Sequence, residues 1–314
     1  MKKLIFIPLF LILAFCGFAQ KEFTKYTSVI PGSKVSFTMV PIPAGSFEMG
    51  SPATDKTAKK DEKPQQTITL SAFWMCEHEV TFDEFQLFYE DATIPVNSEE
   101  VDAVTRPTPQ YIDFSMGMGK QGGFPVNSMS QYTAIMYCKW LYSKTGVFYR
   151  LPTEAEWGYA CRAGSKDMFY FGNDSSKLGD YAWFVDNGQE KFHKVMQKKP
   201  NQWGLYDMMG NLSEWTLDQY DNDYLTKIAA NAKDPLMSPG PKYPRSIRGG
   251  CYEDPAINLR SAARNKSIPY MNRRDPQVPK SKWWLTDAGT VGFRIVSPVQ
   301  QPTAAEAAAF YSKY

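Results

Sequence analysis

Histidine is nearly absent from this 314-residue chain, which has only His78 and His193, far apart and without metal-ligand spacing. That argues against a zinc or non-haem iron site built on histidine. Cysteine is sparse too, at five residues, and never occurs as Cys-x-x-Cys. Beyond the N-terminus no stretch approaches the 18 apolar residues that a membrane-crossing helix needs. Charge of one sign is not in excess: setting aside Lys2 and Lys3 of the N-terminal segment leaves 33 basic against 33 acidic residues. An overall attraction to nucleic acid or to an anionic membrane is unsupported. No repeat or linker divides the chain.

The composition, 43% hydrophobic, 22% charged and 15% aromatic with 22 Pro and 21 Gly, is that of a folded globular protein. At the N-terminus Lys2-Lys3 precede an apolar run from Leu4 to Phe15 and the small-residue pattern Gly17-Phe18-Ala19. Residues 1–19 read as a secretory signal, which places the mature chain in the periplasm or outside the cell. Leu13-Ala14-Phe15-Cys16 resembles a lipoprotein box, so a lipid anchor at Cys16 is the alternative to plain cleavage, against which bulky Phe15 argues. Without Cys16, four cysteines enter an oxidising compartment, where disulfides are allowed but a chain this long does not need them.

Residues 20–35 read as a polar arm. Alternation broken by Pro and Gly over 37–49, and again over 67–80, predicts short irregular strands. Thr81 with Glu84 and Thr153 with Glu156 have the capping-box form, predicting helices over 81–89 and from 153. Residues 128–144 carry Tyr132, Ile135, Met136 and Trp140 at helical spacing. From Arg162 onward periodicity fails, leaving Gly-, Asn- and Asp-rich loops with brief strands at 246–248 and 292–296. The reading is one compact α+β domain with abundant ordered loops.

Several segments, in order, resemble the formylglycine-generating enzyme (sulfatase-modifying factor) family. They are Pro43-Ala44-Gly45-Ser46-Phe47-Glu48-Met49-Gly50, Glu79-Val80-Thr81, the run 150–157 beginning Arg150-Leu151-Pro152-Thr153, and the run 203–215 containing Gly210-Asn211-Leu212-Ser213-Glu214-Trp215. Arg248-Gly249-Gly250 and Gly292-Phe293-Arg294 complete them. The resemblance spans 36–297, leaving 298–314 as a C-terminal tail. It implies a single irregular α+β domain related to the C-type-lectin fold, with bound calcium. By resemblance one calcium falls on Asn211, the Leu212 carbonyl and Glu214, all oxygen donors as Ca²⁺ requires. The alternative is that Asn211 caps a turn and Glu214 pairs with a neighbour. The second calcium site falls near 181–187, where Trp183 stands in place of the expected Asn and only Asp186 and Asn187 are candidates.

Catalytic members hold Cu(I) between two cysteines placed four and nine residues after the second Gly of a Gly-Gly-Ser-Tyr motif. Here that motif reads Gly249-Gly250-Cys251-Tyr252, and those positions are Asp254 and Leu259. Soft thiolates select Cu(I), so copper is not expected. Cys251 stands at the family's active-site Ser, either as a lone reactive thiol or as a small buried residue. Cys138 and Cys161 fall on positions whose disulfide partners elsewhere in the family are Ser261 and Ile295 here, so they are either free or paired with each other. Tyr252, Arg260, Arg264, Trp283, Trp284 and Arg294 are the expected lining of a partner groove, with Arg264 and Arg294 equally readable as ties between loops. The functional expectation is a non-catalytic or chemically diverged member binding a polypeptide partner or client. Relatives in envelope, gliding and secretion assemblies are the example. The alternative is oxidation of a sulfatase cysteine to formylglycine.

Overall fold

A computed structural model describes residues 22–93, 110, 112–228, 232–238, 240, 243–273 and 281–314. Residues 1–19, read above as a secretory signal, and Cys16 among them lie outside the described residues. One four-stranded sheet has the order β1 (Tyr26–Val29), β2 (Ser36–Ile42), β5 (Phe73–Cys76), β10 (Val296–Pro298). A hairpin pairs β3 (Gly45–Met49) with β4 (Gln66–Leu70). The other four-stranded sheet has the order β8 (Asn265–Lys266), β7 (Arg245–Arg248), β6 (Ser213–Gln219), β9 (Val291–Gly292). This mixed architecture with few helices accords with the expected single irregular α+β domain.

The chain ends belong to the domain more closely than the sequence implied. Within the segment read as an arm, β1 pairs with β2 in register Tyr26 to Met39. Within the tail, helix α4 (Ala304–Tyr311) is capped by Thr303 and buries Ala307 and Tyr311, whose hydroxyl donates to the Tyr149 carbonyl at 2.6 Å.

Both expected capping boxes form. Thr81 opens α1 (Phe82–Tyr89) with Glu84, and Thr153 opens α3 (Glu154–Arg162) with Glu156, which also takes a two-bond fork from Arg150 at 2.6 and 2.7 Å. Helix α2 (Gln131–Thr145) starts later than expected, because Ser130 is its N-cap and Ser128 stands at φ 63, outside helical geometry. Its buried face centres on Ala134, Tyr137, Cys138 and Leu141, so Tyr132 and Met136 lie at the edge of the stripe.

β6 organises the interior. Trp215 and Leu217 enter the apolar core with Tyr137, Trp284 and Phe293, while the alternate positions Glu214 and Asp218, equally buried, meet polar partners on the other face. A second core gathers Trp157, Tyr170, Leu205, Met208 and Met209.

Candidate functional site

Buried arginines tie the irregular loops together. Arg260 forks onto Glu62 with both bonds at 2.7 Å. Arg264 forks onto Glu154 at 2.6 and 2.9 Å, and Arg248 reaches the same carboxylate at 3.2 Å. Arg294 forks onto Glu214, whose Oε2 also accepts from Trp157 Nε1 at 2.8 Å. Burial raises the Glu154 carboxyl, but Arg264 and then Arg248 outweigh it and hold the group down at about 2. Three of the expected groove residues are thus spent on internal carboxylates, as planar forks favour. Trp284 is fully buried, with its ring 5.4 Å from Phe85, and Trp283 is 3% exposed beside Phe88 and Tyr132. Trp283, Trp284 and Arg294 are core and tie residues rather than a surface lining, whereas Arg260 and Arg264, though tied to carboxylates, also border openings of about 300 and 500 Å³.

Asn211, at φ 56, is a hub between loops. Its backbone N–H donates to Trp183 O at 2.8 Å, its Oδ1 accepts from His193 N at 2.9 Å, and its Nδ2 donates to Glu79 Oε2 at 2.8 Å. Leu212 N donates to Glu79 Oε1 at 2.9 Å, and Tyr252 N donates to Asn211 O at 2.9 Å. The preceding Gly210 is required: a Cβ there would lie 2.0 Å from the Trp183 carbonyl.

These bonds bear on the fit to calcium. Both oxygens of Glu214 and Oδ1 of Asn211 accept from N–H donors, so an ion on these two side chains would compete with Arg294, Trp157 and the His193 N–H. Among the described residues no group of three or more His, Cys, Asp or Glu side chains is placed to hold a metal. Asn187 Oδ1 accepts from Phe184 N and its amide donates to Ala182 O, closing a turn, while Asp186 is exposed on that turn. Trp183 lies between the His193 ring, 3.8 Å away, and the Lys198 ammonium, 3.7 Å from the ring centroid. That ammonium also donates to Gly179 O at 2.5 Å.

The copper positions are equally committed. Asp254 Oδ2 accepts from Cys251 N and its Oδ1 from Asn258, and Leu259 packs in the second core. Cys251 is 5% exposed in a small cluster with Phe192, Leu212 and Tyr252, and burial, then the Asp254 charge, pushes its thiol far above the usual range. A protonated lone thiol is a poor nucleophile and a poor Cu(I) site. Cys76, Cys138, Cys161 and Cys251 are all buried and free, so Cys138 and Cys161 do not pair with each other.

Tyr252, itself only 3% exposed, is the expected residue that borders an apolar opening. It lines a groove of about 580 Å³ together with Phe114, Met116, Met118, Val185, Glu190, Glu253, Thr286 and Asp287. Met116 is 74% exposed and Val185 50%. The loops around it are pinned: Val185 N donates to Asp254 O, Asn187 N to Phe184 O, and Thr286 N to Arg273 O.

A family model described as the sulfatase-modifying factor enzyme 1-like domain matches residues 29–276. The chain belongs to this family. Among relatives, the formylglycine-generating enzyme of Bos taurus is 28% identical over 287 residues, covering 76% of this chain and 74% of that protein. A Bos taurus protein named inactive C-alpha-formylglycine-generating enzyme 2 is 26% identical over 228 residues, covering 60% and 73%. The solved structure of PvdO from Pseudomonas aeruginosa superposes with a TM-score of 0.66 at 25% identity, over 83% of this chain and 94% of that one. The sulfatase-modifying factor family therefore includes active and inactive members similar to this chain, and the site must decide between them.

Sequence reasoning missed the groove acids and methionines of this family member, because they arrive from four loops with no common spacing. It also missed that Glu62, Glu79 and Glu154 are the partners of the motif arginines and asparagine. Glu79 and Glu154 stand inside the quoted motifs, and a buried arginine demands such an acid.

Proposed function

We propose that this sulfatase-modifying factor domain is an exported, non-catalytic member that holds a polypeptide segment in the groove beside Tyr252. The observation that carries this reading is the state of the copper positions. Asp254 closes the turn after Cys251, Leu259 is core, and the one thiol present is buried and protonated. The alternative, oxidation of a sulfatase cysteine to formylglycine, needs a pair of thiolates at the copper positions, where this chain has Asp254 and Leu259. Export rests on residues 1–19 and would place the partner in the periplasm or outside the cell. Among the described residues no helix is long and apolar enough to cross a membrane.

The groove suits an extended chain. Its loops are held by backbone hydrogen bonds, so little ordering cost falls on binding. Its floor offers Met, Val and aromatic surface to side chains. Selection of a displayed random-peptide library on the immobilised domain tests this. Recovered peptides should bind at least tenfold more weakly to Met116→Asp and Val185→Asp, exposed positions whose change leaves the fold intact, and equally to Cys251→Ser. Failure to recover any peptide, or recovery indifferent to both aspartates, overturns the reading.

A further inference from the structure

Resting on that reading, we infer that the groove selects a polypeptide segment in which a lysine or arginine stands beside an apolar side chain. Two features of the groove point the same way. Its floor is apolar, with Met116 74% and Val185 50% exposed, more than a structural role requires. Its rim carries Glu190, Glu253 and Asp287, and among the described residues no lysine or arginine lines it.

The rim charge is largely uncompensated. Among the described residues Glu190 and Glu253 enter no ion pair, and both are exposed. Asp287 accepts from Thr286 Oγ1 at 2.8 Å, and among the described residues its ion-pair partner is Arg273, whose Nε is 3.9 Å away and which is itself 63% exposed. The buried acids Glu62, Glu154 and Glu214 are by contrast closely paired with arginine. A rim of one sign around an apolar floor steers a cationic partner and repels an acidic one, and the apolar contact then slows its departure. The same rim rejects nucleic acid, whose phosphates would meet carboxylates.

Fluorescence anisotropy with designed peptides tests the charge and the floor separately. The probes share a length: one alternates Lys with Leu, one Gln with Leu, one Glu with Leu, and one Lys with Ser. The Lys-Leu peptide should bind at least tenfold more tightly than each of the others. Its affinity should fall about tenfold between low and 0.5 M salt, where the Debye length shrinks to a few Å. Glu190→Gln/Glu253→Gln should weaken it about tenfold with an unchanged melting temperature, and Val185→Ser should weaken Lys-Leu and Gln-Leu alike. Equal binding of Gln-Leu and Lys-Leu, lost in Val185→Ser, overturns the charge selection while leaving polypeptide binding in place. Equal binding of Lys-Ser and Lys-Leu overturns the role of the floor. No saturable binding by any peptide overturns this inference and the function it rests on together.

Discussion

Arg294 and Glu214 meet in a two-bond fork, Nε to Oε2 at 2.7 Å and Nη2 to Oε1 at 2.6 Å, with both side chains out of solvent. Glu214 comes from the start of the central strand β6 and Arg294 from the segment just after β9, so the fork ties two motifs that are 80 residues apart in sequence. Breaking one half of a buried pair leaves an uncompensated charge.

Arg294→Met should therefore cost about 3–5 kcal/mol in urea unfolding, and Arg294→Met/Glu214→Met should recover a large part of it. A single-variant loss below about 1 kcal/mol would mean that the pair is screened and unimportant.

The same fork bears on calcium. If Glu214 acts through Arg294 and Trp157 rather than through a metal, Glu214→Ala should lower the melting temperature by the same amount in excess calcium and in chelator. A loss confined to the calcium-containing sample would place the ion back on Glu214.

Burial also sets the thiol chemistry. It pushes Cys161 up to about 11 and Cys76, Cys138 and Cys251 further. The folded domain should be inert to a thiol reagent, all four of these cysteines should react in denaturant, and reductant should leave the melting temperature unchanged. Rapid labelling of Cys251 in the native state would contradict its burial.

How far the sequence reaches is visible in particular residues. The caps at Thr81 and Thr153 were legible because a capping box is a local pattern, satisfied within four residues. The family motifs were legible because they are short and ordered. For Arg264 and Arg294 the tie between loops was one of two equal readings, and for Arg260 it was not read at all, because an arginine that anchors a ligand and one that forks onto a buried carboxylate have the same side chain, and the partner's distance in sequence hides it. Trp283 and Trp284 misled for a related reason: aromatic residues favour interfaces and cores alike. Asn211 was singled out as a calcium ligand or a turn cap, and its oxygen accepts from a backbone N–H in a hub between loops that no local pattern announces.

Asp218 gives a dependence on pH. It is buried, accepts from Glu154 N and Met237 N, and burial followed by the Glu154 charge pushes it up to about 8, against ~3.9 in an unfolded chain. Between those values the folded protein holds a proton that the unfolded chain has released, so this group's contribution to stability falls as pH rises from about 4 to about 8. Unfolding free energies measured across that window should decline less steeply for Asp218→Asn than for wild type. Identical slopes would mean that Asp218 is ionised in the fold.

The central claim is that the groove binds without oxidising, and the mass of a Cys-x-Pro-x-Arg peptide after incubation with the domain, Cu(I) and O₂ tests it most directly. The account predicts an unchanged peptide whose thiol still titrates in full. Stoichiometric, O₂-dependent conversion of that cysteine to formylglycine, lost in Cys251→Ser, would contradict it and make this chain an oxidase that works with a single thiol.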